Sequence, residues 1–168
     1  VPEPPAPPAP ELLQRLYGEQ HRLCATPNPQ LQLVLSQERA VDLIELEALC
    51  DAVGWSRRPL RRVRKALQNS LLQVGLWRHD PRLPRLVGFA RCTGDGVVEA
   101  TVWDVAVHPL YQGVGLGKLL MVYVIDQLQG MGVERVSLFA DPHVVEFYAA
   151  QGWELEPQQR RCAFWYSP

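Results

Sequence analysis

The 168-residue chain has no surplus of either charge: 17 Lys and Arg stand against 18 Asp and Glu, a formal net charge of −1. That balance gives no overall pull toward nucleic acid or an anionic membrane surface, and neither is expected as a partner. No apolar run approaches the length needed to cross a bilayer. Four cysteines, Cys24, Cys50, Cys92 and Cys162, lie far apart and form no CxxC pair. That spacing argues against a zinc knuckle and, with no secretory segment in view, against a disulfide framework; mostly buried thiols are expected, with no metal site. The opening VPEPPAPPAP has neither the cationic lead nor the apolar stretch of a signal peptide, and reads as an extended tail.

What is present is the pattern of one mixed α/β domain, spanning about residues 31–168 behind a proline-rich tail and a short helix over Glu11–Leu23. LQLVLS predicts a strand. Apolar residues at helical spacing predict a helix over Glu38–Val53, broken by GWSRRP. LRRVRKALQNS predicts a second helix whose apolar stripe is Leu60, Val63 and Leu67. The cationic run Arg57 to Lys65 is explained first as the wet face of that helix, with a binding role as the alternative. LLQVGLW and RLVGFARC predict two hairpin-linked strands, TGDG a turn, and VVEATVWDVAVHP a long strand. A helix over Leu116–Leu128 follows, with Gly130 and Gly132 as candidates to end it. VERVSLFA predicts a strand and DPHVVEFYAAQG a helix capped by Asp141. WELE and CAFWYS predict two closing strands, the last offering an apolar edge on which a homodimer could form.

The stretch QGVGLGK, Gln112 to Lys118, lies between a strand ending near Val107 and the helix from Leu116. Glycines at 113, 115 and 117 let backbone N–H groups converge, and the positive end of a helix adds to them; together these suit a phosphate. Lys118 either adds a charge or decorates the surface. The spacing is neither a Walker A loop, since Lys118 precedes Leu119, nor a dinucleotide fingerprint.

Gln112, Gly115 and Gly117 in that register, WDVAVHPLY before them and VVEFYAAQGW after them resemble the GCN5-related N-acetyltransferases (GNAT). A closer similarity, carried by VGWSRRP, ATVWDVAVHPLYQGVGLGKLL and LFADPHVVEFYAAQGW, is to the plastid and cyanobacterial subgroup that includes plant serotonin N-acetyltransferases. The resemblance implies a mostly antiparallel sheet splayed between its fourth and fifth strands, and acetyl-CoA as co-substrate. Val105, Ala106 and Val107 would then pair with the pantetheine arm. Gln112, Gly113, Val114, Gly115, Leu116, Gly117 and Lys118 would wrap the pyrophosphate, and Ser137 to Ala140 would form the other lip of the cleft.

Acetyl transfer needs an uncharged amine and a proton for the departing thiolate. Tyr148, protonated at neutral pH, is the favoured acid and coenzyme contact, with a core aromatic pair alongside Phe147 as the alternative. Asp141 is a candidate base, or simply a helix cap. Asp104 is the rival, a charge in an apolar strand whose alternation would put Asp104 and Ala106 on one face, with Trp103, Val105 and Val107 on the other. Glu99 is weaker, and His108 more naturally shapes the turn. Trp55, Trp103 and Tyr123 could line an aromatic pocket, with core packing as their default. The acceptor implied is an arylalkylamine such as serotonin or tryptamine, or alternatively a protein lysine or N-terminal amine. An acetyl-CoA-binding regulatory or interaction protein is the reading of another class. The compartment would be cytoplasm for a cyanobacterial protein and plastid stroma for a plant or algal one.

Overall fold

The computed structural model describes residues 33–78 and 85–168; the predicted helix over Glu11–Leu23 lies outside them. The described elements are β1 (Leu33–Ser36), α1 (Leu43–Ala52), α2 (Leu60–Gln68), β2 (Leu72–Arg78), β3 (Arg85–Gly94), β4 (Glu99–Val107), α3 (Leu116–Gly130), β5 (Arg135–Leu138) and α4 (Val145–Ala149). The strands form one sheet in the order β1-β2-β3-β4-β5, with β4 and β5 parallel and the other pairs antiparallel. The chain forms two compact units, one within residues 8–137 and one comprising residues 138–168.

In the larger unit, α1 starts five residues later than its periodicity predicts. Asp42 caps it, its carboxylate accepting the Ile44 and Glu45 N–H groups at 2.9 and 3.0 Å. One face of the sheet packs Trp77, Leu86, Phe89 and Ala106 against Leu46 and Leu49 of α1 and Leu67 of α2. The Trp77 indole lies directly over Gly75, where a Cβ would come within 2.2 Å of the ring. The TGDG turn is held by Asp95, whose carboxylate accepts three backbone N–H groups, from Val97, Val98 and Glu99. The bonds from Val97 and Val98 pull its pKa below the usual carboxylate range. Gly132, not Gly130, supplies the left-handed residue after α3, at φ +88°.

β4 departs from simple alternation. Phe89 pairs with Ala106 and Arg91 with Trp103, so Asp104 and Val105 together stand opposite the single residue Ala90. This is a β-bulge, and Asp104 sits in it at φ +54°. Directly opposed residues share a face, so Trp103 and Ala106 lie on the same side, contrary to the alternation predicted for this strand. β5 runs beside the start of β4: Glu134 and Arg135 donate to the Val98 carbonyl at 3.1 and 3.0 Å, and Thr101 and Ser137 hydroxyls meet at 2.9 Å. With four residues against nine, β5 ends before the bulge is reached.

In the smaller unit a 3-10 turn, Pro142–Val144, precedes α4. The two predicted closing strands do not form. Residues 153–168 hold no strand, and a 3-10 turn at Pro157–Gln159 stands between the segments, with Glu156, Gln158 and Gln159 at positive φ. Strand-like composition yields a strand only where a ladder partner is met. The edge on which a dimer was expected is therefore not built; Phe164, Trp165 and Tyr166 are exposed. The cysteines also differ from expectation: Cys92 is buried, Cys50 half-buried and Cys162 exposed, with Cys24 outside the described residues.

Candidate active site

The phosphate-type loop follows β4 through a short 3-10 turn, Pro109–Tyr111. His108 shapes that turn, its Nδ1 accepting the Leu110 N–H at 3.1 Å. Gln112 donates its side-chain amide to the Val107 carbonyl at 2.8 Å, tying the loop to the end of β4. Gly113 and Gly115 adopt φ +80° and +88°, conformations costly for other residues. A Cβ at either would meet nothing within 4 Å, so the loop faces open space. Gly115 caps α3 with no side-chain hydrogen bond. The opening N–H groups of a helix have no partner inside it, and no side chain at the cap takes their place here. Val114 and Lys118 are exposed, Gly117 is half-buried, and Leu116 points into the core at 3% exposure. A diphosphate fits these residues through backbone N–H groups, the helix dipole and Lys118, while Leu116 anchors the loop.

Upstream, Val105 and Val107 are half-buried and Ala106 is buried. Asp104 accepts from Arg91 Nε at 2.8 Å, with side-chain exposures of 24% and 14%, and Arg58 lies 3.8 Å from its other oxygen. Arg91 also reaches the Ser70 hydroxyl at 3.4 Å. Arg91 was not anticipated, although a cation in the apolar strand GFARC is the same signal that singled out Asp104. Glu99 forms an ion pair with Arg135. Burial, then the charge of Asp104, raises the Cys50 thiol pKa, and burial pushes Cys92 up to about 12. Neither is poised as a thiolate nucleophile. Trp55 is 36% exposed, Trp103 is half-buried with its indole N–H on Thr93, and Tyr123 is core.

In the 138–168 unit, Tyr148 is buried at 7% exposure and meets Phe147 and Trp153 edge-on, at 5.0 and 6.0 Å between ring centroids. Phe147 itself is 38% exposed, so the predicted core role falls to Tyr148. Burial, reinforced by the negative charge of Asp141, raises the Tyr148 pKa above its ordinary value. Asp141 is exposed and makes no side-chain capping bond, contrary to the cap expected of it.

Residues 40–153 match the model of the acetyltransferase (GNAT) family. The chain belongs to the GNAT acetyltransferase family. This acetyltransferase is 62% identical over 154 residues to a Prochlorococcus marinus protein named an uncharacterized N-acetyltransferase, ycf52-like, covering 92% of this chain and 86% of that one. It is 39% identical over 129 residues to serotonin N-acetyltransferase 2, chloroplastic, of Oryza sativa subsp. japonica, covering 75% of this chain and 63% of the rice protein. Its fold superposes on a GNAT-family acetyltransferase of Streptococcus pneumoniae with a TM-score of 0.67 at 25% identity, covering 82% and 98% of the two chains. The acetyltransferase is thus an acetyl-CoA-dependent enzyme acting on an amine. Among the described residues no helix is long and apolar enough to cross a membrane.

Proposed function

We propose that the acetyltransferase transfers acetyl from acetyl-CoA to the primary amine of a small arylalkylamine of the serotonin or tryptamine type. The observation that carries the chemistry is Tyr148, a phenol kept protonated by burial and by the adjacent Asp141 charge. The amine attacks the thioester carbonyl directly, the C–S bond breaks, and Tyr148 delivers its proton to the departing thiolate. Asp141, exposed and uncommitted to a helix cap, takes the proton the amine must lose, directly or through water. Asp104 is a positioning residue, since its carboxylate is held by Arg91 and Arg58. The raised thiols argue against an acyl-enzyme. The loop Gln112–Lys118 holds the pyrophosphate, and Val105–Val107 the pantetheine arm.

The rice relative's name favours the arylalkylamine acceptor, and the exposed Trp55 indole suits an aromatic substrate. Relatives from a marine cyanobacterium and from chloroplasts favour cytoplasm or plastid stroma. The test is thiol release from acetyl-CoA with serotonin, tryptamine, simple alkylamines and a lysine peptide in parallel. Turnover selective for the arylalkylamines supports the proposal. Selectivity for the peptide refutes the acceptor class, and coenzyme binding with no turnover of any acceptor supports a regulatory protein instead.

A further inference from the structure

The β2–β3 ladder ends in a pairing that sheet energetics disfavours. Arg78 and Arg85 stand directly opposite each other, where like charges repel. Both are exposed, and among the described residues neither has a carboxylate partner. Arg78 donates to the Tyr111 hydroxyl at 3.3 Å. Beside them the ladder is irregular: Leu76 pairs with Gly88 and Trp77 with Leu86, so Val87 is the extra residue of a bulge. The Val87 carbonyl accepts the His108 N–H at 2.8 Å, which holds the turn after β4 against that bulge. Between the turn, the two arginines and the first half of α1 lies an open cavity of about 430 Å³. Leu86 and Val87 are its buried apolar wall, while Ile44 of α1 and Leu110 of the turn stand on it exposed. A concave apolar site of this size with a few convergent polar groups is the usual make-up of a small-molecule pocket.

We infer that this cavity binds an aromatic carboxylate, and that its occupancy strengthens the coenzyme's hold on the neighbouring loop. Charge decides the sign of the ligand. Two guanidiniums and one carboxylate, Glu45, line the cavity. Glu45 is turned to the Leu86 N–H, at 3.4 Å, and forms an ion pair with neither arginine. A guanidinium offers five donors in a planar fork that matches a carboxylate. Arg78 spends one on Tyr111, and Arg85 spends none among the described residues. The aromatic body follows from the far wall, where His108 and Tyr111 meet edge-on at 5.9 Å between ring centroids, a pair that a third ring extends. Inorganic phosphate would leave the apolar walls unused. Coupling follows from the chain itself. Tyr111 immediately precedes Gln112, whose side-chain amide ties the glycine loop to Val107. A ligand held by Arg78 and packed on Tyr111 restrains that tie in advance, and a loop already ordered binds its coenzyme at less cost. The coupling rests on the reading of Gln112–Lys118 as the coenzyme loop; binding of the carboxylate does not.

The experiment is isothermal titration calorimetry of the full chain with 3-phenylpropionate and, beside it, the neutral amide of the same acid. Wild type should bind the acid about tenfold more tightly than the amide, and a variant carrying Arg78→Gln and Arg85→Gln should bind the two equally. Because that variant removes a like-charge pair, its Tm should be no lower than the parent's, which separates lost binding from lost folding. Glu45→Gln keeps an acceptor for Leu86 and removes the opposing charge, so it should bind the acid about threefold more tightly than wild type. With the acid saturating, Kd for acetyl-CoA should fall about threefold, and saturating acetyl-CoA should tighten the acid by the same factor. Equal binding of acid and amide by wild type overturns the site, as does a preference for the acid that survives in the double variant or weaker binding by Glu45→Gln. Displacement of the acid by acetyl-CoA overturns it as well, assigning the cavity to the coenzyme. Binding of the acid with no change in acetyl-CoA affinity overturns the coupling. Calorimetry needs no turnover, so failure of every acceptor in the thiol-release assay leaves these results standing.

Discussion

Asp104 is where stability and chemistry can be separated most cleanly. Its carboxylate bonds a guanidinium that is only 14% exposed, and its backbone lies at φ +54°. A charge-assisted hydrogen bond of this kind contributes about 1.5–3 kcal/mol. A left-handed conformation costs a residue such as alanine roughly 1–2 kcal/mol, while Asn tolerates it and Gly adopts it freely. Asp104→Ala should therefore lose both contributions, about 2.5–5 kcal/mol together. Asp104→Gly should lose the bond alone. Asp104→Asn, which keeps an acceptor toward Arg91 and tolerates the conformation, should be mildest, at about 1–2 kcal/mol. In thermal unfolding followed by circular dichroism, Ala should lower Tm by about 10 °C, with Gly and Asn between it and the parent. For a positioning residue, kcat with serotonin should fall less than tenfold in the Asn variant and the acidic limb of the pH profile should survive. Equal stability of the Ala and Gly variants would show the bulge to be unstrained. A loss of 10² or more in kcat with Asn, together with disappearance of the acidic limb, would make Asp104 the base after all.

Tyr148→Phe keeps the ring packing against Phe147 and Trp153, so folding should be unchanged while kcat falls about 100-fold; steady-state kinetics read both. Because its pKa is raised, the parent's kcat should decline only above pH 10, as the phenol loses its proton, and that limb should vanish in the variant. Gly115→Ala has room for its Cβ but not the preferred backbone, so it should cost about 1–2 kcal/mol and raise KM for acetyl-CoA more than KM for the amine. Gly75→Ala drives a methyl into the Trp77 ring and should lower Tm by about 5–10 °C, as differential scanning calorimetry would show. Titration of the native enzyme with a disulfide reagent at pH 8 should label exposed Cys162 rapidly and leave Cys92, with its thiol near pKa 12, unlabelled until the fold opens.

The helices and most strands were legible because their signals are local. Apolar spacing marks α2 and α3, and Gly54, Pro59 and the TGDG turn mark boundaries. The glycine loop was legible too, because Gly113 and Gly115 need positive φ and the sequence supplies the residue that provides it cheaply. What escaped was set by partners distant in the chain. The bulge at Asp104 depends on the β3 register, where Ala90 faces two residues, and nothing in TVWDVAV announces it. Arg91 acquires its role only once β3 lies beside β4. CAFWYS carries three strand-forming aromatics in a row, Phe164, Trp165 and Tyr166, yet propensity without a ladder partner leaves it irregular. Asp141 precedes a proline, as a helix cap does, but a 3-10 turn intervenes and its carboxylate makes no capping bond.

The hydrogen bond from Gln112 to Val107 makes β4 a measuring rod. One end of the rod is fixed to the loop proposed to receive a diphosphate, and the bulge three residues back marks the other at about 10 Å. On that proposal a thioester donor would be gauged by the length of its arm. One gripped at the loop but with a shortened arm would bind well and present its carbonyl at the wrong height along the strand. Discrimination among donors would then show in turnover rather than in affinity, and shortening the Gln112 side chain would blur the scale without emptying the site.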